Sequence, residues 1–346
     1  MPTIRIWVYD GVLASGISTP VDVFMAANVY ASRGLADPGR PFEPYTWRVE
    51  SMDGRPVRTA SGQVVPVDGK IDGRARADVV VVTAPFVGDM DAFIARRDLV
   101  GDLAHHLRRR HRAGSLIATF CTGAYILAEA GLLDGRVATT HWARSSDFAR
   151  RYPKVELRAR EILTEQENIL CSGAVTSFLD LAVRLVEKLS GPRLADITAR
   201  SLLIDTGRSS QAAYAVRLQA HGHADPVVAR AQRAMEEALA DPPRLSDLAA
   251  RLAVSERTLH RRFRQAVGES PLAWLQDLRI EAAKQLLASS DLGYESVGER
   301  VGYADPSAFR LLFKRRTGLT PREYRRQFSR ALPGRRVIDQ VHADHD

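Results

Sequence analysis

The sequence Leu248-Ala-Ala-Arg-Leu252, continued by residues 255–268, recurs as Val297-Gly-Glu-Arg-Val301, continued by residues 305–318. Matched positions keep one constant offset: Leu259, Phe263, Gly268 and Pro271 correspond to Phe309, Phe313, Gly318 and Pro321. Each copy predicts a short helix, a tight turn and a second helix. A pair of helix-turn-helix units of this kind is typical of proteins that bind DNA in the major groove.

The first copy has the residues that this motif needs. Leu245, Leu248 and Leu252 form one apolar stripe, and Ser255 is placed to cap the next helix. Leu259 and Phe263 then point inward. The basic side chains fall together on the opposite, exposed face of that second helix: Arg257, His260, Arg261 and Arg264.

The second copy repeats the plan with different chemistry. Asp305 is the predicted cap, Pro306 stands at the first helical position, and Ser307, Arg310 and Lys314 lie outside. Because arginine can bind guanine through two hydrogen bonds, we expect base contacts from one group across both copies: Arg257, His260, Arg261, Ser307 and Arg310. We expect phosphate contacts from the other: Arg264, Lys314, Arg315 and Arg316. The alternative is that both helices are merely solvated surface.

A longer helix starts at Ser270-Pro271 between the two copies, with a stripe of Leu275, Leu278, Ala282 and Leu286. As a rigid spacer it would hold both recognition helices for successive major grooves, about 34 Å apart. Residues 226–329, with Val301-Gly-Tyr-Ala-Asp-Pro-Ser-Ala-Phe-Arg-Leu-Leu-Phe-Lys-Arg and Gly318-Leu-Thr-Pro-Arg-Glu-Tyr324-Arg, resemble the AraC/XylS DNA-binding domain. The resemblance implies binding to double-stranded promoter DNA.

Charge and length agree with this prediction. A chain of 346 residues exceeds one typical domain, which favours two. Residues 226–330 hold 19 Lys and Arg against 13 Asp and Glu, so most of the net charge of +8 lies there, as phosphate binding requires. A soluble arginine-rich protein without DNA affinity is the alternative that charge alone leaves open.

Several classes of protein are disfavoured. The first residues lack the pattern of a signal peptide, and no uncharged apolar run reaches the ~18 residues of a membrane span. Two cysteines do not indicate a disulfide framework. The His105-His106, His111 and His221-Gly-His223 clusters lack partners for a metal site. We therefore expect a cytoplasmic protein without a metal, a cofactor or a membrane partner.

The first ~190 residues alternate strand-like and helix-like segments, which favours a mainly parallel sheet covered on both faces. The predicted strands cover residues 3–9, 45–51, 79–83, 115–120 and 169–172, and the predicted helices cover residues 20–32, 98–112, 123–130 and 176–189. Ligands of such sheets bind at the carboxyl ends of the strands.

One turn at such an end is Phe120-Cys121-Thr122-Gly123-Ala124. A cysteine beside free helix amides favours its thiolate, so we expect a lowered pKa for Cys121. Ala138-Thr-Thr-His141-Trp142 follows and is expected to return His141 along the adjacent strand. The two side chains could be a nucleophile and its base, or a buried thiol and a structural histidine. Cys171 is expected to pack in the core.

Residues 121–142 resemble the PfpI and class I glutamine amidotransferase-like superfamily, and particularly the sensor domains of GlxA-type regulators. The resemblance extends over about residues 4–189. It implies a flavodoxin-like α/β sandwich with Cys121 in a pocket at the strand ends, and dimerisation through this domain. Our own hypothesis is that this domain binds a small-molecule effector in a pocket lined by Gly16, Cys121, Thr122 and His141. For the whole chain the resemblance suggests an activator of amino acid or amine catabolism, which could act through RNA polymerase.

Two departures from catalytic relatives argue against turnover. Gly16 stands at the expected position of their acid, which leaves Asp10 or Asp22 as substitutes. The loop Ala84-Pro85-Phe86 replaces a Pro-Gly loop, and proline has no amide to offer an oxyanion. Three alternatives stay open at this point: a DNA-tethered hydratase- or amidase-like enzyme, a redox sensor acting through Cys121, and an architectural DNA binder.

The predicted organisation has four parts. An α/β flavodoxin-like sensor domain covers residues 1–190, and a connector covers residues 191–225. An all-α domain of two helix-turn-helix units joined by a linker helix covers residues 226–330, and a disordered tail is expected for residues 331–346. No catalytic residue is assigned.

Overall fold

The computed structural model describes residues 1–39, 41–208, 210–215 and 223–329. Their contacts divide the chain into two compact units, and the division falls between Ala212 and Ala213. Residues 191–212, assigned to a connector above, therefore lie in the first unit by their contacts, and the expected tail lies outside the described residues. No helix among the described residues is long and apolar enough to span a membrane.

A seven-stranded sheet forms the centre of the first unit. The strands of this unit are β1 (Thr3–Trp7), β2 (Thr46–Ser51), β3 (Val57–Arg58), β4 (Val64–Val65), β5 (Gly69–Lys70), β6 (Val79–Val82), β7 (Leu116–Phe120), β8 (Val137–Ala138), β9 (Glu156–Leu157), β10 (Leu163–Gln166) and β11 (Ile169–Ser172). The order in the sheet is β10-β11-β7-β6-β1-β2-β5, and every pair is parallel except β10 with β11. The pairs β3–β4 and β8–β9 form two small ribbons.

The central strands are fully buried, as their sequences require. All residues of β6, β7 and β11 are buried, in runs rich in valine, isoleucine and leucine. Such runs are typical of parallel strands with helices on both faces. The chain leaves β1 toward β2 and returns to β6 on its other side, so the carboxyl ends of β1 and β6 border the crevice where open sheets bind ligands.

Helices cover the sheet on both faces. They are α1 (Ser15–Tyr30), α2 (Met90–Ile94), α3 (Asp102–Arg112), α4 (Ala124–Glu129), α5 (Ser145–Arg151), α6 (Phe178–Ser190) and α7 (Pro192–Ser201). Helix α1 begins five residues before the predicted start and contains Pro20. Proline costs a helix one hydrogen bond but keeps a helical φ, so packing of the buried Ile17, Val23 and Phe24 can override it.

The second unit contains α8 (Pro226–Glu237), α9 (Leu245–Arg251), α10 (Glu256–Val267), α11 (Pro271–Ser289), α12 (Tyr294–Arg300), α13 (Pro306–Thr317) and α14 (Pro321–Phe328). The two predicted caps are present: Ser255 accepts from the amide of Thr258 at 3.2 Å, and Asp305 accepts from that of Ser307 at 2.8 Å. Ser270 caps α11 in the same way, accepting from the amide of Ala273 at 3.2 Å. The two helix-turn-helix units are thus α9–α10 and α12–α13.

Each helix-turn-helix unit has its own core, and α11 contributes to both. Trp274 and Leu275 pack with Leu259 and Phe263 in the first core. The second core is built on aromatic side chains and on the C-terminal half of α11, with Ile280, Ala283, Leu287, Phe309 and Phe313. The linker helix is therefore more than a spacer, because each half of it completes the core of one unit.

Candidate DNA-recognition helices and cysteine elbow

Helix α10 exposes the basic face that the sequence predicts. Arg257, Arg261 and Arg264 are exposed, whereas His260 is half-buried. Leu259 and Phe263, on the opposite face, are fully buried. This division holds the helix by its apolar side and leaves three guanidinium groups accessible to DNA.

Helix α13 presents a different surface. Ser307, Arg310, Lys314 and Arg315 are exposed, and Leu311 beside them is 71% exposed. An apolar side chain at that place can contact the methyl group of thymine. The second helix therefore combines fewer hydrogen-bonding groups with one apolar contact.

Two arginines of the recognition helices are engaged elsewhere. Arg316, expected at a phosphate, forms an ion pair with Asp277 of α11 at 3.1 Å and donates to Gln276. Arg262 forms an ion pair at 2.7 Å with Asp225, the N-cap of α8. Both side chains attach a recognition helix to a supporting helix. The spacing of basic residues in the sequence did not separate these structural arginines from those that are exposed.

The turn Phe120–Ala124, here called the cysteine elbow, connects β7 to α4 through a 3₁₀ turn. Cys121 has a φ of +54°, a left-handed conformation that is strained for any residue with a side chain. Its side chain is 3% exposed. Strain of this kind persists only where the surrounding structure enforces it, which indicates that the elbow has a specified shape.

The expected lowering of the Cys121 pKa is wrong. Burial raises the pKa of the thiol to about 11, and hydrogen bonds from Thr122 and the charge of Arg144 offset only part of that effect. The reason is that removal of the thiolate from water costs more than nearby amides return. Cys171 is fully buried as well, and burial raises its pKa to about 12. Neither thiol has the electrostatics of a catalytic nucleophile.

Gly16 lies in the first turn of α1 and not in a loop. A Cβ atom there would collide with the ring of Phe120, which packs edge-on against Phe178. The space that an acidic side chain would need at this position is therefore filled by the residue preceding Cys121. Asp10, one of the possible substitutes, instead accepts from the amide of Arg58 at 2.7 Å.

The loop Ala84-Pro85-Phe86 closes against the elbow. Thr122 Oγ1 donates to the carbonyl of Pro85 at 2.5 Å, and the amide of Phe86 donates to Gly11 at 2.9 Å. Pro85 also forms an isolated bridge with Val12. Proline has no amide, and the next amide in this loop is occupied, so neither of them is free to bind an oxyanion.

His141 does not lie on a strand of the main sheet, because it follows β8, which belongs to a small ribbon. Its Nδ1 accepts from the amide of Ala143 at 3.1 Å, and burial, followed by the charge of Arg144, lowers its pKa. The adjacent Thr140 donates to the carbonyl of Cys121 at 2.9 Å. Of the four predicted pocket residues, Cys121 and Thr122 form the elbow, Gly16 packs beneath it, and His141 is joined to it through Thr140.

Arg144 is a residue of this site that the sequence did not single out. Its guanidinium donates to the carbonyl of Gly88 at 3.0 Å. Its charge offsets a small part of the rise that burial causes in the pKa of Cys121, and it adds to the lowering that burial causes in the pKa of His141. It therefore brings positive charge to the elbow and binds the loop that follows Phe86. Nothing in the local sequence Trp142-Ala-Arg144 indicates this, because the contact joins two distant loops.

A cavity of about 260 Å³ opens at the carboxyl ends of β1 and β2. Its charged lining includes Asp10, Asp98, Arg55 and Arg96, and Tyr9 contributes an aromatic wall. The hydroxyl of Tyr9 donates to the carbonyl of Thr83 at 2.6 Å, directly before the loop that closes on the elbow. Among the described residues, no group of three or more His, Cys, Asp or Glu side chains could hold a metal ion.

Comparisons with known proteins agree with this architecture. The DJ-1/PfpI family model matches residues 3–188, more than half of the chain, and a helix-turn-helix domain model matches residues 248–327. The chain is 29% identical over 282 residues to the HTH-type transcriptional regulator CdhR of Pseudomonas aeruginosa, which covers 81% of this chain and 82% of that one. It is 28% identical over 224 residues to the HTH-type transcriptional regulator GlxA of Rhizobium meliloti, across 64% of this chain and 68% of the relative.

A solved structure described as a transcriptional regulator protein of Vibrio parahaemolyticus is 17% identical, with a TM-score of 0.50 over 58% of this chain and 98% of its own. At that identity the likeness concerns the fold alone. The family models, the strand order and the two capped helix-turn-helix units lead to one assignment. The chain belongs to the DJ-1/PfpI family and joins that domain to an AraC-type helix-turn-helix domain, the combination of the GlxA-type relatives.

Proposed function

We propose that this protein is a sequence-specific DNA-binding transcription regulator controlled by a small molecule that binds to its first unit. The observation that carries the proposal is the pair of capped helix-turn-helix units whose exposed faces hold arginine and lysine. The relatives CdhR and GlxA, named as HTH-type transcriptional regulators, support it. We further propose activation through RNA polymerase, dimerisation through the first unit and a cytoplasmic location.

The two recognition helices would contribute unequally. Arg257 and Arg261 of α10 are exposed and suited to bidentate contacts with guanine, with His260 beside them. Helix α13 offers Ser307 and Arg310 to base edges. Phosphate contacts would come from Arg264, Lys314 and Arg315. The first half-site would therefore carry most of the hydrogen-bonded base recognition.

Substitution of Arg261 and Lys314 tests this assignment. A duplex bound by the full chain is first obtained by selection from a random library, and affinities are then measured on that duplex and on random DNA. Arg261→Ala should cost about 1 to 3 kcal/mol on the selected duplex, since it removes a base contact, and should relax the preference at one base pair. Lys314→Ala should weaken both duplexes alike, because phosphates carry no sequence.

The result that would contradict the assignment is an equal loss on selected and random DNA for Arg261→Ala. Arg316→Ala serves as a matched control on α13, since its guanidinium is paired with Asp277. Arg316→Ala should lower the free energy of unfolding, and it should leave the ratio of the affinities for the two duplexes nearly unchanged.

The effector would bind at the carboxyl edge of the sheet. Two features support this place. One is the strained elbow, which contains Cys121 and Thr122, with Gly16 packed beneath it and His141 joined to it through Thr140. The other is the 260 Å³ cavity at the carboxyl ends of β1 and β2, which none of these four predicted residues lines. Carboxylates and guanidiniums in the cavity lining favour a small charged molecule over an apolar one. Amino acids and amines are the first compounds to titrate while DNA affinity is measured, and a complete absence of response would count against this part of the proposal.

Regulation fits the elbow better than catalysis does. A thiol whose pKa is raised to about 11 is almost wholly protonated at neutral pH. Phe120 occupies the space of an acid at Gly16, and the amide of Phe86 is already bonded to Gly11. A turnover assay of the full chain with amide and nitrile substrates should find no difference between wild type and Cys121→Ala.

A further inference from the structure

Residues 210–215, here called the strap, are attached at one end to the first unit and at the other to the second. The N-terminal end is held by Gln211, whose side chain is 2% exposed. Its Nε2 donates to the carbonyls of Thr140 and Ala159, each at 2.8 Å, and its backbone amide donates to Arg160 at 2.9 Å. A linker residue without a specific role would not need a buried amide with several backbone partners.

The structure provides space for this side chain. A Cβ atom at Gly173, directly after β11, would stand 2.6 Å from the amide of Gln211. Only a glycine therefore lets the glutamine reach Thr140. The Oε1 atom of Gln211 is buried and has no hydrogen-bond partner among the described residues. The Gln211 side chain is thus held only by the hydrogen bonds that its Nε2 donates. Its release costs less free energy than the release of an amide whose oxygen is hydrogen-bonded as well.

Thr140 connects Gln211 to the elbow. Its Oγ1 donates to the carbonyl of Cys121 at 2.9 Å, while its own carbonyl accepts from Gln211. Thr140 is fully buried, so it cannot shift without disturbing one of these bonds. A change of shape at Cys121 would therefore be transmitted to the Gln211 amide through a single residue.

The C-terminal end of the strap belongs to the core of the second helix-turn-helix unit. Ala213 is 3% exposed and lies in the same cluster as Phe309 and Phe313 of α13. Tyr214 packs edge-on against Phe328 and accepts from Gln327 at 2.6 Å. The carbonyl of Ala215 accepts from Nζ of Lys284, a buried lysine of α11.

We propose that Gln211 is the coupling residue of this regulator, through which the state of the cysteine elbow biases the strap and thereby the α11–α13 core of the second helix-turn-helix unit. The inference rests on the proposed function and names the residues that would connect the effector site to the DNA-binding unit. Only one residue, Ala212, separates Gln211 from Ala213. Loss of the Gln211 hydrogen bonds therefore removes the restraint that the first unit places on the segment packed in the second core. Coupling between sites is reciprocal, so DNA bound by the second unit must also change the elbow.

Hydrogen exchange of the full chain tests this without knowledge of the effector. The probe is the duplex selected from the random library, and the measured region covers residues 116–124 and 134–145. In wild type, the duplex should change exchange in both segments by about fivefold or more, a value at the low end of known allosteric couplings. In Gln211→Met, which keeps the volume but removes the donor, that response should fall below about twofold although the duplex still binds.

Ser210→Ala is the matched control within the strap. The Ser210 hydroxyl donates to the carbonyl of Arg160 and accepts from the amide of Ala212, and among the described residues no hydrogen bond joins it to Thr140. It should keep the wild-type response. Persistence of the response in Gln211→Met, or its absence in wild type bound to the duplex, overturns the inference. If Gln211→Met does not fold, Tyr214→Ala must abolish the response from the other end, and retention there overturns it equally. Failure to select any duplex would instead refute the proposed function.

Discussion

Cys121 lies in a left-handed backbone conformation at the end of a buried strand. Hydrogen bonds hold this residue and the loops around it in place. Thr122 bonds to Pro85, Thr140 bonds to the Cys121 carbonyl, and Arg144 bonds to Gly88. The side chain thus has the position of a nucleophile in an environment that keeps it protonated. At the scale of single residues, these hydrogen bonds hold a strained turn in one shape.

Alkylation of Cys121 should be slow and strongly pH-dependent. A pKa raised from 9.0 to about 11 lowers the thiolate population at neutral pH by about 100-fold. The rate with iodoacetamide, followed on the Cys121 peptide by mass spectrometry, should increase about tenfold per pH unit until the pH approaches that pKa.

The same peptide in urea is the reference. A rate in the folded chain at pH 7.5 equal to that in urea would contradict this prediction and would support redox sensing through Cys121. Burial of the side chain lowers the folded rate in addition, so the difference should be at least the value given by the pKa alone.

At the scale of elements, the two helix-turn-helix units solve the same turn differently. Ala253 and Gly302 occupy matched positions after α9 and α12, and both have a positive φ, of 55° and 88°. Glycine adopts this conformation freely, whereas alanine does not. The first turn therefore carries a strain that the second lacks.

Ala253→Gly should stabilise the protein by about 0.5 to 1 kcal/mol, because it removes the left-handed strain of a residue with a Cβ atom. Urea unfolding monitored by circular dichroism measures the change in free energy. Ala250→Gly is the matched control within α9, where glycine should instead cost about 1 kcal/mol. Destabilisation by both substitutions would show that the turn at Ala253 is relaxed.

Gly302, in contrast, cannot be replaced by alanine without a collision. A Cβ atom there would collide with the carbonyl of Ala240 and with the guanidinium of Arg279. The glycine is thus required by close packing as well as by φ. The additional residue in the second turn, where residues 301–305 span one step more than residues 252–255, accompanies this difference.

At the scale of the whole molecule, charge is distributed for DNA binding. Residues 226–330 have 19 Lys and Arg against 13 Asp and Glu, and the exposed arginines and lysines of α10 and α13 lie outside their cores. When both helices contact phosphates of the DNA backbone, their arginines and lysines should displace counterions from the DNA.

Affinity for the selected duplex should therefore fall steeply with salt. For the three phosphate contacts proposed above, a logarithmic slope of about −0.9 per contact gives an increase of the dissociation constant of about 40-fold between about 50 and 200 mM salt. Fluorescence anisotropy of a labelled duplex measures it, and Lys314→Ala should reduce the logarithmic slope by about 1. A change of less than about tenfold in wild type would contradict binding by both units.

The sequence by itself determined the helix-turn-helix units, because caps, turns and apolar stripes are local patterns with a helical period. Ser255, Asp305 and Ser270 cap the predicted helices, and β11 has its predicted bounds. The parallel sheet followed from alternating strands and helices for the same reason.

Only the tertiary structure decided the chemistry of the elbow and the roles of single charges. The pKa of Cys121 depends on how completely distant loops bury it, and the start of α1 at Ser15 depends on packing over a proline. Arg316 and Arg144 find partners 39 and 56 positions away, and Gln211 reaches Thr140 across 71. Such contacts follow from folding in three dimensions, and no local period in the chain records them.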